Sequence, residues 1–502
     1  MKNIIAIAVI VFAIQANIIA QKHDGIWMFG HSNGMGGRDT IGISILDFRV
    51  KDTLQIYPDY DIKQGFNYAN VSMCDAEGNY LFSSNGTRIY NTVHEWMEGG
   101  KNLNVNEYNG YLLPQGVLSL PHPRDSNIYA FFHGRKGYSV QITQTWYSEI
   151  DMRKNEGLGA VTSMESLIQD TLLYGQITAV KHGNGRDWWI PFQHYCLERE
   201  GCKNNFFYKI LLNPDKVEIS SQAITDSLLT DTGLGQAVFT PDGTKYIASE
   251  ADEFGEPAYI DIYNFDRCTG ELGERKRIET IVSDRENLGG SGLIVSPNSR
   301  FIYFVRWTKI FQYDLWAEDI QASEILVAEY DGFVNIFPTR FLRGQLASDN
   351  KIYLNTTNET RYLHVIHNPN EKGLACNVEQ HGIKLPTYNS FSLPNHPNYR
   401  LGAWEGSPCD TIESVNVSNT NIFEKASIDL YPNPTNDVLN IEINTSTPYQ
   451  SMEIQIYDLL GKQLGIFNDI SSLPLNYPKG LYLLQIWLDQ KLVKTEKLII
   501  QE

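Results

Sequence analysis

From about Gln21 onward, hydrophobic and polar side chains alternate with a period of two. Runs such as NYLFSSNGTRIYN, NIYAFFH, DWWIPFQ, KYIASE, RFIYFVRW and KIYLNTT lie between clusters of Gly, Asn, Asp and Pro. Successive side chains of a strand point to opposite faces, so this alternation predicts half-buried β-strands bounded by turns. Helical spacing is confined to short pieces, the clearest at residues 317–326.

The strands recur in a larger unit. A polar turn followed by an aromatic-bearing strand appears at DAEGNY (Tyr80), PRDSNIY (Tyr129), GNGRDWW (Trp189), TPDGTKY (Tyr246), SPNSRFIY (Tyr303) and SDNKIY (Tyr353), with gaps of 49, 60, 57, 57 and 50 residues. Trp27 lies 53 residues before the first and Trp404 lies 51 after the last. A strand-only period near 50 fits a four-stranded propeller blade, and a small antiparallel sheet of this kind buries both faces only by stacking on its neighbours. The expected fold is all-β: a β-propeller over residues 21–410, with seven blades favoured over eight, closed by pairing of the chain ends. A plain sandwich has turns every ~8–12 residues without a longer period.

Other patterns flank the propeller. Lys2 followed by IIAIAVIVFAI (Ile4 to Ile14) and the small residue Ala20 reads as a signal peptide over residues 1–20, with Ile18 a less usual residue before the cut. No other apolar run is long enough to span a bilayer, so no transmembrane segment is expected in the mature chain. After EGSPCD, the polar residues 411–427 read as a linker. Alternation then resumes in VLNIEIN, MEIQIYDLL, LYLLQIWL and KTEKLII, predicting a small β-sandwich of about six strands over residues 428–502.

This last part carries a specific resemblance. LYPNPTNDVLNIEI, IQIYDLLGKQL, LPLNYPKGLYLLQI and KTEKLII, in that order, resemble the C-terminal sorting domain of the type IX secretion system, with Pro432, Asn433, Pro434, Gly461, Gly480 and Tyr482 at the motif positions. LPLNYPKGLYLL departs from the more regular leucine strand usual before the glycine. The resemblance implies passage through the periplasm of a Gram-negative bacterium, engagement of the type IX machinery by residues 428–502, and release or attachment at the outer cell surface. DAEGNYLFSSNGTRIYN, PQGVLSLPHP and FSLPNHPNYRLGAWEGSPCD resemble the propeller-like domains of such cargo, a group with no common activity.

Charge and cysteine usage agree with export. The net charge of −18 gives no basic surface for nucleic acid or anionic membranes. Six cysteines suit an oxidising compartment, and Cys196 and Cys202, between two strand-like runs, are placed for a hairpin disulfide. A zinc site would need a second close pair.

Catalytic signals are sparse. FGHSNGMGGRD (Phe29 to Asp39) and ENLGGSGL (Glu286 to Leu293) lack the GxxxxGK[ST] pattern and read as blade-connecting loops. Glu250, Asp252, Glu253 and Glu256 offer oxygen ligands for calcium without the EF-hand spacing; no other cofactor is indicated. His364 and His367 fall on opposite strand faces, while His122, His133, His182 and His194 sit near blade turns from which they could converge on an axis. HExxH, GxSxG and the sialidase box are missing. The expectation is a binding or adhesion module for glycan, protein or matrix, with tyrosines and tryptophans available to stack on sugars. The alternative is an extracellular hydrolase or lyase using carboxylates or calcium at the propeller mouth.

Overall fold

The computed structural model describes residues 21–501 except 33–39, 51–52, 105–109, 138–140, 196–204, 225–232, 251–257, 281–290, 411–426, 445–448, 450, 459–461 and 490. The expected signal peptide and nearly all of the expected linker lie outside the described residues. The chain divides into two compact units, residues 1–411 and 412–502.

Among its described residues the first unit contains eight antiparallel sheets: seven blades that follow one another along the chain, and a two-stranded ribbon, Val334–Asn335 with Phe337–Pro338, between the sixth and seventh blades. Blade 1 consists of Ile26–Gly30, Ile43–Asp47 and Gln55–Asp59, and blade 2 of Val71–Cys74, Tyr80–Ser84 and Ile89–Tyr90. Five four-stranded blades follow, each a meander: blade 3 from Val117–Pro121 to Ala160–Ile168, blade 4 from Val180–Lys181 to Val217–Ile224, blade 5 from Ala237–Phe239 to Leu272–Thr280, blade 6 from Ser291–Val295 to Ile325–Glu329, and blade 7 from Phe341–Leu346 to Val378–Asn389. Within residues 317–326 the helical content is one 3-10 turn, Gln321–Ser323; Ile325 and Leu326 instead begin an outer strand.

Hydrophobic cores between successive blades close these sheets into a ring. Met28 and Phe66 join blades 1 and 2; Phe82, Tyr129 and Trp188 run through blades 2 to 4; Trp189, Phe207 and Tyr246 join blades 4 and 5. Ile260 and Phe304 join blades 5 and 6, and Tyr303 and Ile352 join blades 6 and 7. The last core brings Trp27 and Leu46 of blade 1 against Tyr353 and Leu385 of blade 7, with the Trp27 and Tyr353 rings edge to face at 5.8 Å. The periodic aromatics of the sequence are therefore the wedges between blades.

Blade 1 supplies its second, third and fourth strands but not its innermost. Ile26–Gly30 runs antiparallel to Val71–Cys74: Cys74 N donates to His23 O, Ser72 Oγ to Ile26 O and Asn70 Nδ2 to Met28 O. In blades 6 and 7 the innermost strands are parallel, with Gly292 against Leu342 and Ile294 against Gly344. Trp27 thus occupies the second-strand place of Tyr80 and its successors. The vacant innermost place of blade 1 is taken by the segment after blade 7. Ser392 meets Asn70, the His396 ring lies 6.3 Å from Trp27, the Tyr399 ring lies 5.3 Å from His23, and Arg400 pairs with Asp24. The chain ends therefore meet in one blade, held mainly by side-chain contacts, with isolated backbone bonds such as Asn395 N to Asn70 O at 2.9 Å rather than a ladder. Pro394 and Pro397 offer no N–H to a strand ladder, which is why this stretch lacks one. Trp404, beyond it, is 41% exposed and wedges no blades.

The second unit packs a three-stranded sheet (Ser427–Tyr431, Val438–Asn444, Ser472–Pro474) on a four-stranded one (Gln463–Asn468, Met452–Tyr457, Gly480–Leu488, Lys491–Ile500). Leu439 and Ile441 face Ile454, Ile456, Leu484 and Ile486 across the core. Seven strands form where the sequence predicts about six, because Ser472–Pro474 is too short to reveal its alternation.

Candidate binding site in the central channel

The innermost strands turn an unpaired edge toward the ring's axis, and their backbone groups need partners. Buried side-chain amides provide them. Gln115 Oε1 accepts from Ala237 N and its Nε2 donates to Ala237 O, both at 2.8 Å. Gln236 Oε1 accepts from Leu293 N at 3.1 Å while Nε2 donates to Gly344 O at 2.8 Å. Asn395, in the closing segment, donates from Nδ2 to Val117 O and Ile177 O, each at 2.8 Å. These amides form a girdle across the channel.

Gly-Gln pairs recur at the inner strands, Gly175-Gln176, Gly235-Gln236 and Gly344-Gln345, a pattern that alternation alone does not reveal, and Gln236 of the girdle belongs to one of them. Glycine is required where the chain passes close to neighbouring backbone. A Cβ on Gly235 would lie 1.7 Å from Ser249 O, and one on Gly175 1.9 Å from Pro114 O.

The closing segment crosses the girdle from the leading rim, where innermost strands begin, to the trailing rim, where they end. Tyr399, buried against Trp188, donates from its hydroxyl to Ser119 O at 2.9 Å, and Asn398 Nδ2 donates to Pro241 O at 2.8 Å. Arg400 forks onto Asp24, with Nη1 to Oδ2 at 2.9 Å and Nη2 to Oδ1. Past the rim, Arg267 donates to Lys181 O, His182 O and Gly402 O, and a disulfide joins Cys268 to Cys409. Burial pushes the Arg267 guanidinium down to about 10, the Lys181 amine down to about 8 and the His396 imidazole down to about 4.

The segment fills one side of the channel only. Between it and the inner strands of blades 4 to 7 remains a cavity of about 260 Å³ toward the trailing rim. Its polar lining includes Thr178, Thr240, Gln345, Ser348, Asn350 and Asn398, and among the described residues its carboxylate is Asp24, held by Arg400. The surface offers hydrogen-bond donors and acceptors with one neutralised ion pair.

Most sequence candidates fall elsewhere. Phe29 is an inter-blade core residue, but 33–39 of the first glycine run, 286–290 of the second, Asp252, Glu253, Glu256, Cys196 and Cys202 lie outside the described residues. The strands flanking these segments all have their facing ends at the leading rim. Glu250 accepts from Gly233 N at 2.7 Å and Leu234 N at 3.0 Å, so its carboxylate is already engaged. The histidines named at blade turns do not converge. His122 and His182 sit in turns of different blades, accepting at Nδ1 from Arg124 N and Asn184 N. His133 is buried beside Trp146, and His194 stacks on Phe206. His364 is buried against Phe341, while half-buried His367 meets Glu379. The channel's own His23, Asp24, His396 and Arg400 carry no motif, and only the ring's closure brings them together.

In the second unit, Pro432, Asn433 and Pro434 form the bend between the first two strands. Asn433 pins it to the last strand, donating from Nδ2 to Lys497 O at 2.6 Å and accepting at Oδ1 from Ile499 N at 3.0 Å. Gly480 opens the third strand of the larger sheet, and Tyr482 donates to Pro478 O at 2.6 Å. Gly461 lies outside the described residues.

The fold thus defines a β-propeller linked in sequence to a small β-sandwich. Residues 429–501 match the family described as "Secretion system C-terminal sorting domain". The chain is a type IX secretion cargo, exported to the cell surface or extracellular space, and its sorting domain is the part that addresses the secretion machinery. Among the described residues no helix is long and apolar enough to cross a membrane. No curated protein matches the chain in sequence.

Among solved structures, the chain is similar to the periplasmic gluconolactonase of Pseudomonas aeruginosa (TM-score 0.36, 10% identity, 74% of this chain and 96% of that one). It is also similar to Saccharomyces cerevisiae Sqt1 (0.34, 10%, 96% and 98%) and to the β-propeller domain of the Trilobed protease from Pyrococcus furiosus (0.30, 11%, 68% and 87%). The propeller assignment rests on the blade topology and ring closure described above.

Removal of residues 429–501 is expected to leave the protein in the periplasm, with surface signal at background in cell fractionation. Normal display of the truncated chain would refute the tail's role in export.

Proposed function

We propose that the propeller is an exported binding module that takes a polar ligand, a glycan or the end of one, in the trailing-rim cavity of its channel. The supporting observation is the polar part of the lining: among the described residues, hydroxyls, amides and the His396 imidazole with one carboxylate that Arg400 already neutralises, set among apolar side chains such as Val238 and Phe239. Such a surface suits an uncharged polyhydroxyl ligand, whose hydroxyls both donate and accept. Glycoside hydrolysis by the usual route needs two carboxylates about 5–10 Å apart, and the described lining offers one. Hydrolase or lyase chemistry therefore has less support. The test is a glycan and peptide array with the mature full-length chain, run with product analysis. Retention of a glycan without turnover, weakened at least tenfold by Asn398→Ala, is the expected result. Turnover of the retained glycan would replace the binding reading with an enzymatic one, and retention of peptides alone would overturn the choice of ligand.

A further inference from the structure

On the leading-rim side of the amide girdle lies a second, smaller cavity of about 20 Å³, lined by Tyr68, Arg343, Asn355, Phe391 and Asn395 among others. Arg343 sits on the innermost strand of blade 7 and is 8% exposed. Its guanidinium lies 5.1 Å from the centre of the Tyr68 ring, and that ring stacks on Phe391 at 5.0 Å. The aromatic stack orients the charge but does not neutralise it. Among the described residues no carboxylate pairs with Arg343; the Tyr68 side chain is a hydrogen-bond partner of its guanidinium, while Nε and Nη1 have none. Asn355 Oδ1 accepts from Arg343 N at 2.9 Å, which places this amide beside the arginine; its Nδ2 is also without a partner.

A guanidinium has donors only and stays protonated, so burying it without a counter-charge is costly. The neighbouring amides do not supply one. Both ends of Gln115 and Gln236 are spent on backbone, and Asn395 Nδ2 is committed to Val117 O and Ile177 O. The free capacity around the cavity is therefore a set of donors, at Nε, Nη1 and Nδ2, around a space large enough for one small group.

We propose that this cavity binds one monovalent anionic group, a halide ion or a carboxylate, held by Arg343 and Asn355 at the leading-rim mouth of the channel. The two cavities share the girdle wall, but Arg343 and Asn355 line only this one, so its loss leaves the glycan reading untouched, and failure of the glycan reading leaves this one standing. Occupancy supplies the counter-charge that Arg343 lacks and ties blade 7 to Tyr68, which precedes blade 2.

The test uses the mature full-length protein. Crystals soaked in sodium bromide are expected to show an anomalous peak at hydrogen-bond distance from the Arg343 guanidinium. In solution, bromide and acetate, titrated separately at fixed ionic strength, should each raise the propeller's unfolding temperature saturably by a few degrees. The bromide arm reads a free ion and the acetate arm a carboxylate; a response in either supports the site. Arg343→Met should abolish the response. Should that variant fail to fold, Asn355→Asp gives the second reading: it keeps the acceptor for Arg343 N, places a carboxylate beside the guanidinium, and should remove both the bromide peak and the anion dependence. A wild-type protein with no bromide peak and no response to either anion would overturn the proposal, as would an Asn355→Asp variant that keeps the full response.

Discussion

A chain ended at Asn389 is expected to give no cooperative unfolding transition, whereas one ended at Thr411 unfolds cooperatively in urea. The shorter chain retains every strand of all seven blades, so a count of strands predicts no difference. The difference lies in the closing segment and in the Cys268–Cys409 disulfide that follows it. Without the segment, Val117 O and Ile177 O lose the Asn395 amide, Ser119 O loses the Tyr399 hydroxyl, and Asp24 loses Arg400. Each backbone acceptor left without a partner in a buried place costs about 1–3 kcal/mol, and a stranded buried carboxylate about 3–5 kcal/mol. The total approaches the whole stability of an ordinary domain. A finer probe is Arg400→Met, expected to cost about 3–5 kcal/mol because Asp24 is left buried and alone, with part recovered by adding Asp24→Asn. Equal urea midpoints for the two truncations would show that blade packing alone closes the ring.

The second large effect is acid lability. Burial holds the imidazoles of His122 and His396 down to about 4, and those of His133 and His364 down to about 3. These groups stay neutral in the folded protein but take up protons in the unfolded chain below about pH 6.5. Their contribution is complete above that value and is lost as the pH falls from about 6.5 toward their folded pKa values. These four rings alone should therefore take up close to four protons on unfolding near pH 5, with His23, His31, His94, His182 and His194, also lowered by burial, adding to the uptake, and the urea midpoint should fall steeply between pH 6.5 and 4.5. Asp151 and Asp314, held below the usual carboxylate range by hydrogen bonds from Arg153 and Arg300, add to the loss only below about pH 4. His133→Phe should reduce the proton uptake by about one. A midpoint that is flat across this window would contradict the buried, neutral state of these rings.

The architecture was largely legible because its two strongest determinants are periodic. Alternation places side chains on two faces, and one aromatic wedge per blade recurs near every fiftieth residue, as Tyr80, Tyr129, Trp189, Tyr246, Tyr303 and Tyr353 do. The closing segment was not legible as a strand, because Pro394 and Pro397 interrupt the pattern while their neighbours still lie along blade 1. Trp404 shows the limit of spacing: it falls in step with the wedges yet is exposed, since the blade that would bury it is already filled by Trp27. The channel site was illegible for another reason. Asp24 and Arg400 are 376 residues apart and become partners only through ring closure. The histidines that looked promising near turns are divided among blades, and no local pattern distinguishes them from those on the axis.

The disulfide between Cys268 and Cys409 has a mechanical consequence for a protein exported to the cell surface or extracellular space. Tension applied to the propeller from the sequence beyond Thr411 reaches Cys409 first. From there it passes covalently into Cys268, in the turn before the outermost strand of blade 5. Residues 391–408 lie behind this staple and carry none of the load. The part of the ring that depends on individual side-chain bonds is thereby shielded, and a pull from that end must deform blade 5 before it can draw the closing segment out of the channel. Under reducing conditions the same pull would act first on the bonds of Trp404 N to Gly183 O and of Arg267 to Gly402 O and then on the Asp24–Arg400 pair, and the propeller would be expected to yield at lower force from its closing segment.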